Sequence, residues 1–307
     1  MFDPRQGNSP IRLTSLQCGP EPLEPARTNY FSVIRLESGE GEFWADAARH
    51  PMSAPSLIFF VPYQFIRLAP QGNLAGEVIH FHANFLCVET FHAETGCAGL
   101  LFNDPYQSPE VRLDLQSGGQ IAQLVAAMLH EQQAQLMATD EMLLAQLKVL
   151  LIIATRIKAQ TTEACSAEGE RLRHPVLGPL KELIEENYHT LHAPSDYAER
   201  LHMTTKSLGR VVREQLGKSL SDLIKERILT HAKWQLLHTL KPVKEIAREL
   251  GFADEFYFSR MFKKGTGVSP KFFREFETEI RGGSNLSMVS SEAPIRSFSD
   301  KADNYGT

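Results

Sequence analysis

The sequence predicts a two-domain α+β chain. Its N-terminal half is a small β-sandwich or barrel followed by a pair of helices. Its C-terminal half is all-α, with two helix-turn-helix units joined by a long helix. Three observations predict this. Between Tyr30 and His82, short runs of β-branched and aromatic residues alternate with turn residues. Between Ser195 and Arg274, one motif occurs twice, fifty residues apart. Charge also divides the chain: residues 1–170 hold 10 Lys+Arg against 19 Asp+Glu, and residues 171–281 hold 20 against 15. An acidic first half joined to a basic second half points to a polyanion as partner of the second half alone.

The chain has 307 residues, long for a single domain. No run of 18 apolar residues is present, so no transmembrane helix and no membrane partner is expected. Residues 1–10 lack the charged-then-apolar design of a secretion signal. Cys18, Cys87, Cys97 and Cys165 are scattered without a CxxC. That spacing fits reduced thiols in a cytoplasm better than a disulfide or zinc framework.

Residues 1–28, rich in Pro and Gly, read as an irregular lead-in, and 29–159 as the first domain. Within it, Tyr30–Leu36 and Glu42–Ala45 flank the turn Ser38–Glu42. Ser56–Pro62 is a continuous apolar run, as in a buried strand, and Gln64–Leu68 and Gly76–His82 extend the series. Helical spacing then appears over Gln120–Leu136 and Asp140–Ile157. The apolar stripe of the second helix covers about half its surface, enough for its own domain and a partner subunit, or for an intradomain pair alone. Residues 160–173 lack periodicity and read as a linker. Residues 174–281 form the second domain, opened by Pro175, and 282–307 a disordered tail of Gly, Ser and Asn.

In the repeat, Thr204 stands beside Asp254 as a helix N-cap. Leu208 and Val212 stand beside Phe258 and Phe262 as a buried stripe, and Gly217 beside Gly267 as a helix end. Arg210 and Arg260 fall off that stripe, and a short apolar helix precedes each copy. Two short helices with a tight turn, the second basic on one face, outline a helix-turn-helix. Between the copies, Ser219–Thr239 contains neither Pro nor Gly and keeps helical period. Some 20 residues make a rod of roughly 30 Å, close to one turn of DNA at roughly 34 Å, so the units fit successive major grooves.

Contact candidates follow from position. In the first copy Lys206, Gly209, Arg210 and Arg213 lie off the buried stripe. In the second, Glu255, Phe256, Ser259, Arg260 and Lys263 do, with Lys264 beside them. Arg210 can grip guanine O6 and N7 together, Glu255 can accept from cytosine N4 or else only favour the helix N-terminus through its charge, and Phe256 can meet a thymine methyl or else pack in the core. Lys206 and Arg213 can meet either base edges or phosphates, phosphate contact being the commoner role, and Lys263 and Lys264 suit phosphates. The bland alternative for Arg210 and Arg260 is a surface ion pair.

Residues 195–274 resemble the DNA-binding domain of the AraC/XylS family of bacterial transcription regulators. The resemblance rests on Arg227-Ile228, Ala232 and Leu236-Leu237, on Ile246–Asp254, on Tyr257–Lys264, and on Gly267–Pro270 with Arg274. It implies a sequence-specific regulator, most often an activator, that engages promoter DNA and RNA polymerase. It also places base contacts at Lys206, Gly209 and Arg210, and at Glu255, Phe256, Ser259 and Arg260. Gly209 departs from the larger side chain common there, at a cost of about 1 kcal/mol inside a helix. The first half is similar, more loosely, to the cupin-like β-barrel or jelly-roll sensor domain of many members, through Pro55–Pro62. That implies a small-molecule effector inside the barrel and a homodimer formed through the helical pair. Lining candidates are Phe31, Arg35, Trp44, Phe60, Tyr63, His80 and His82.

Two other classes stay open. His80-x-His82 places two imidazoles on one strand face, as in metal-dependent cupin enzymes, but a metal needs further ligands, and His50, Glu77 and His92 are not fixed nearby. The weight falls on no enzyme, metal or cofactor. The remaining class is a regulator without an effector, whose first half serves only for pairing.

Overall fold

The computed structural model describes residues 1–88, 100–102, 104–169 and 174–280, with side chains omitted from 162 to 169. The expectations for Cys97, His92 and the tail 282–307 fall outside the described residues, as does the side chain of Cys165.

The first domain is two antiparallel sheets backed by two helices. The larger sheet joins β1 (Ile11–Cys18), β7 (Leu74–Phe81), β2 (Phe31–Ser38), β5 (Ser56–Phe60) and β8 (Glu110–Arg112) in that order. The smaller joins β4 (Ala48–Ser53), β3 (Glu40–Ala45) and β6 (Ile66–Pro70). The sheets face one another as an open jelly-roll-like sandwich rather than a closed barrel. Between them Ile34, Leu36, Phe43, Met52, Ile58, Phe60 and Leu68 make one core. On the opposite face of the large sheet, Val33, Leu57, Phe59, Ile79 and Phe81 pack on α1 (Leu115–Ala134) and α2 (Thr139–Gly169). The large sheet is therefore a middle layer. This is why β5 is apolar at every position but its first: Ile58 and Phe60 serve one core, Leu57 and Phe59 the other.

Several boundaries differ from the sequence reading. The lead-in contains a strand: β1 buries Ile11, Leu13 and Leu16 and pairs along its whole length with β7. β4 is an edge strand whose Ala48, His50 and Met52 point inward while Arg49 and Pro51 point out, a place where Pro is tolerated. α1 begins at Leu115, where Asp114 and Ser117 form a capping box, rather than at Gln120. α2 continues to Gly169, so most of the stretch read as linker is helix.

The second domain contains α3 (Leu177–Asn187), α4 (Pro194–Arg200), α5 (Thr205–Leu216), α6 (Leu220–His238), α7 (Val243–Glu249), α8 (Glu255–Thr266) and α9 (Pro270–Ile280). Units α4–α5 and α7–α8 sit at opposite ends of α6. The helical period of α6 is that of its buried residues Leu220, Leu223, Ile224, Ile228, Ala232 and Leu236. They lie in one cluster with Leu208, Val212, Phe258 and Phe262. Burial on that scale, about 1.5–3 kcal/mol per side chain, holds the domain together.

The repeat is real at the level of single caps. Thr204 Oγ1 accepts from the Ser207 N–H at 3.1 Å, and the Asp254 carboxylate accepts from the Phe256 and Tyr257 N–H groups. Gly217 (φ 66°) and Gly267 (φ 85°) end α5 and α8 in the left-handed conformation. The offset is not uniform. The leading helices α4 and α7 correspond at 49 residues, and the helices that follow them, α5 and α8, at 50, because Ala253 lengthens the second turn by one.

Candidate nucleic-acid interface

The second helix of each unit, α5 or α8, is twelve residues long and is held by its apolar stripe. Leu208, Val211 and Val212 anchor α5, and Phe258, Phe262 and Thr266 anchor α8. The opposite faces are open to solvent. The Arg210 side chain is 72% exposed and that of Arg260 is 73% exposed. Lys206, Arg213, Lys263 and Lys264 are exposed as well, while Gly209, Glu255 and Ser259 are partly exposed. Phe256 is 74% exposed, which removes the core alternative for that ring. Two aromatic rings at the start of α8, Phe256 and Tyr257, are thus largely open to water, with Tyr257 touching Phe252.

The surface-pair alternative for the arginines is present but weak. Arg210 Nε lies 4.0 Å from Glu214 and Arg260 lies 3.8 Å from Asp254, both in solvent. Exposed pairs of this length contribute little and yield readily to a phosphate or a base edge. A Cβ added at Gly209 would meet no atom within 4 Å, so packing does not demand glycine there.

The residues proposed to line a barrel pocket separate in the structure. Phe60 fills the core between the sheets. Arg35 is bound in two places by Glu77, at 2.6 and 2.9 Å. Trp44 lies on the outer face between Arg49 and Arg67, whose guanidinium groups are 5.6 and 5.1 Å from its ring. His80 Nδ1 bonds Ser32 Oγ at 2.9 Å, and burial lowers its pKa to about 4. His82 instead packs against the Phe2 ring, tilted by 33°, and faces Glu277 across 3.5 Å. The two imidazoles of His80-x-His82 therefore serve different partners, and Glu77 is taken by Arg35. His50, the further imidazole considered, stacks on Phe43, and burial holds its pKa near 4.

A cavity lies between the domains rather than inside the sandwich, and among its described lining residues are Phe31 and Tyr63 of that set. Its volume is about 770 Å³. Its wall includes His50, Lys158, Lys218, Lys233 and, at the edge formed by α8, Arg260 and Lys264. No sequence signal marks it, because its wall is assembled from strands, loops and helices that lie as far apart in the chain as Arg27 and Glu277. The interior of the sandwich is filled by the large rings of Phe43 and Phe60, which leaves the domain junction as the place for open space.

Lys158 gives this wall a measurable property. Its ammonium donates to the Ser108 carbonyl at 2.9 Å with only 6% of the residue exposed, and burial lowers its pKa to about 8. An unfolded lysine titrates near 10.4. Below pH 8 both states are charged and the burial cost is fully present. Between pH 8 and about 10.4 the folded state releases its proton first, so stability rises with pH. Denaturant unfolding is expected to show a gain on the order of 2–3 kcal/mol from pH 7 to pH 10 that Lys158→Met lacks. Parallel pH curves for the two proteins would contradict the assignment.

With this geometry in place, comparison with known proteins places the C-terminal part. A family model described as a helix-turn-helix domain matches residues 197–275. The chain is 26% identical over 178 residues to the transcriptional activator RhaR of Klebsiella pneumoniae, covering 57% of this chain and 60% of that protein. It is 38% identical over 77 residues to the arabinose operon regulatory protein of Escherichia coli, covering 25% of this chain and 26% of that one. It is 27% identical over 252 residues to the uncharacterised transcriptional regulator YfiF of Bacillus subtilis, covering 80% of this chain and 77% of that one. The chain thus spans 60% of the RhaR protein and about a quarter of the arabinose regulator. Among the described residues, no helix is long and apolar enough to cross a membrane.

Proposed function

We propose that this chain, whose residues 197–275 match a helix-turn-helix family model, is a sequence-specific DNA-binding regulator of transcription of the AraC/XylS kind. The observation that carries the reading is the pair of capped helices, α5 and α8, each with a solvent-exposed arginine off its buried stripe, at the two ends of one helix. α6 has 19 residues, roughly 28 Å of helix, somewhat under one turn of DNA. Arg210 and Arg260 read base edges; Lys206, Arg213, Lys263 and Lys264 hold phosphates; Gly209, Glu255, Phe256 and Ser259 complete the two faces.

The first domain then serves as sensor. A small effector enters the cavity between the domains, where carboxylates as well as ammonium groups stand ready to orient it beside apolar surface. A ligand can shift the balance of two conformations only by binding one of them better, and a cavity walled by both domains meets that requirement. The regulator pairs with a second copy through α2, where Met142 and Val149 remain exposed, and works as an activator with RNA polymerase at a promoter in the cytoplasm.

Selection from a pool of randomised duplexes tests the reading. The full chain is expected to enrich one sequence family and to bind it saturably in the presence of scrambled competitor at moderate salt. A steep fall in affinity with salt should accompany this, as several phosphates are neutralised. A pool without enrichment would contradict the proposal.

A further inference from the structure

The first domain touches the C-terminal domain at both reading helices, not at one. At the end of α5, the Arg49 N–H donates to the Gly217 carbonyl at 3.2 Å. Arg49 lies on the edge strand β4, and this N–H points away from its sheet. Next to it, Lys218 Nζ donates to the Pro105 carbonyl at 3.0 Å. At the end of α8, Arg27 donates to the carbonyls of Gly265 at 2.6 Å and Lys264 at 3.4 Å. Between these points Lys233, in the middle of α6, donates to the Pro62 carbonyl at 3.1 Å. Behind them the Tyr63 hydroxyl bonds Glu277 of α9, and Asn84 donates to the Ile280 carbonyl at 2.7 Å.

These partners are mostly backbone carbonyls at helix ends, the groups a helix leaves unsatisfied. The approach at Gly217 is close enough that a Cβ there would collide with the Arg49 carbonyl. Gly217 therefore has two duties: the left-handed end of α5 and contact with the strand. Gly267, its counterpart, has the same left-handed backbone but meets only the flexible Arg27 side chain.

We infer that the first domain is a brace that fixes the angle between the two reading helices by holding the C-terminal ends of both. Without it, α6 alone joins the units, and a single helix bends. With it, the units are held in one relation before DNA arrives, and the cost of aligning them on two grooves is lowered. The cavity lies between the Lys218 and Gly265 contacts, so an occupant there would act on the angle. The brace as a device for DNA affinity rests on the reading proposed above; its effect on the helix angle does not.

The experiment has two arms, both on the full chain. In the first, spin labels carried by unnatural amino acids replace the exposed Gln215 on α5 and Lys263 on α8, and pulsed electron resonance gives the distance between them. A single narrow distribution is expected, which broadens in Arg49→Pro combined with Arg27→Ala. Arg49→Pro removes an N–H that makes no ladder bond. Gly217→Ala should broaden it too, whereas Gly267→Ala, with equal backbone strain, should not. Equal widths in all variants would overturn the brace. In the second arm, unlabelled proteins bind selected duplexes. The double variant should lose about tenfold in affinity for a duplex spanning both grooves and nothing on one carrying a single half-site. Loss on both, loss on neither or a gain would also overturn it. If no duplex is selected at all, the DNA reading fails, while the distance arm still decides the brace.

Discussion

Arg260→Ala is expected to weaken binding to the selected duplex by about 1–3 kcal/mol and to relax base preference at a single step. The reason is geometric. The Arg260 side chain is 73% exposed, and its one ion pair, with Asp254, spans 3.8 Å in solvent. Removing it leaves the fold intact, since no buried group loses a partner. A guanidinium aimed at guanine O6 and N7 discriminates by its two parallel bonds, so its loss affects one base pair and spares the others. Lys263→Ala should behave differently, weakening all duplexes alike and lowering the salt slope by about one. Competition titrations against single-base variants separate the two outcomes. Uniform weakening by Arg260→Ala would make that residue a phosphate anchor.

Phe262→Ala should lower the unfolding free energy by about 3–5 kcal/mol, a large share of the 5–15 kcal/mol typical of a domain. Phe262 is fully buried. Its ring lies 6.1 Å from Phe258 and 5.6 Å from Phe273, and so joins α8 to α9. Truncation leaves a cavity that two rigid aromatic neighbours cannot close. Val212, its counterpart in the first unit, is equally buried but smaller, so Val212→Ala should cost less. Denaturant midpoints read both, with the slope unchanged. A Phe262→Ala loss below that of Val212→Ala would show that the core of the second unit collapses to fill the gap.

The C-terminal domain was legible because its signals are local. A cap, a stripe and a terminal glycine each act within a turn or two, and all recur in the second copy. Thr204, Asp254, Gly217 and Gly267 do what their chemistry predicts. The one-residue insertion at Ala253 was hidden because the shift precedes the cap that sets the register. In the first domain, β2 and β5 were readable as apolar runs. β1 was not, because Ile11, Leu13 and Leu16 lie among Pro, Gly and Ser. β4 was masked by His50 and Pro51, residues that alternate correctly but are atypical of strands. The cavity between the domains was the least legible part. A barrel interior is a family expectation, whereas the open volume lies where Phe31 and Tyr63 meet α6 and α8. Contacts such as that between Tyr63 and Glu277, 214 residues apart, leave no trace in local pattern.

Hydroxyl-radical footprinting of the selected duplex tests the central claim most directly. The two reading helices at the ends of α6 predict, for each subunit, two protected segments on one face of the duplex, centred about one helical turn apart. A single protected segment per subunit, or two on opposite faces, would contradict it.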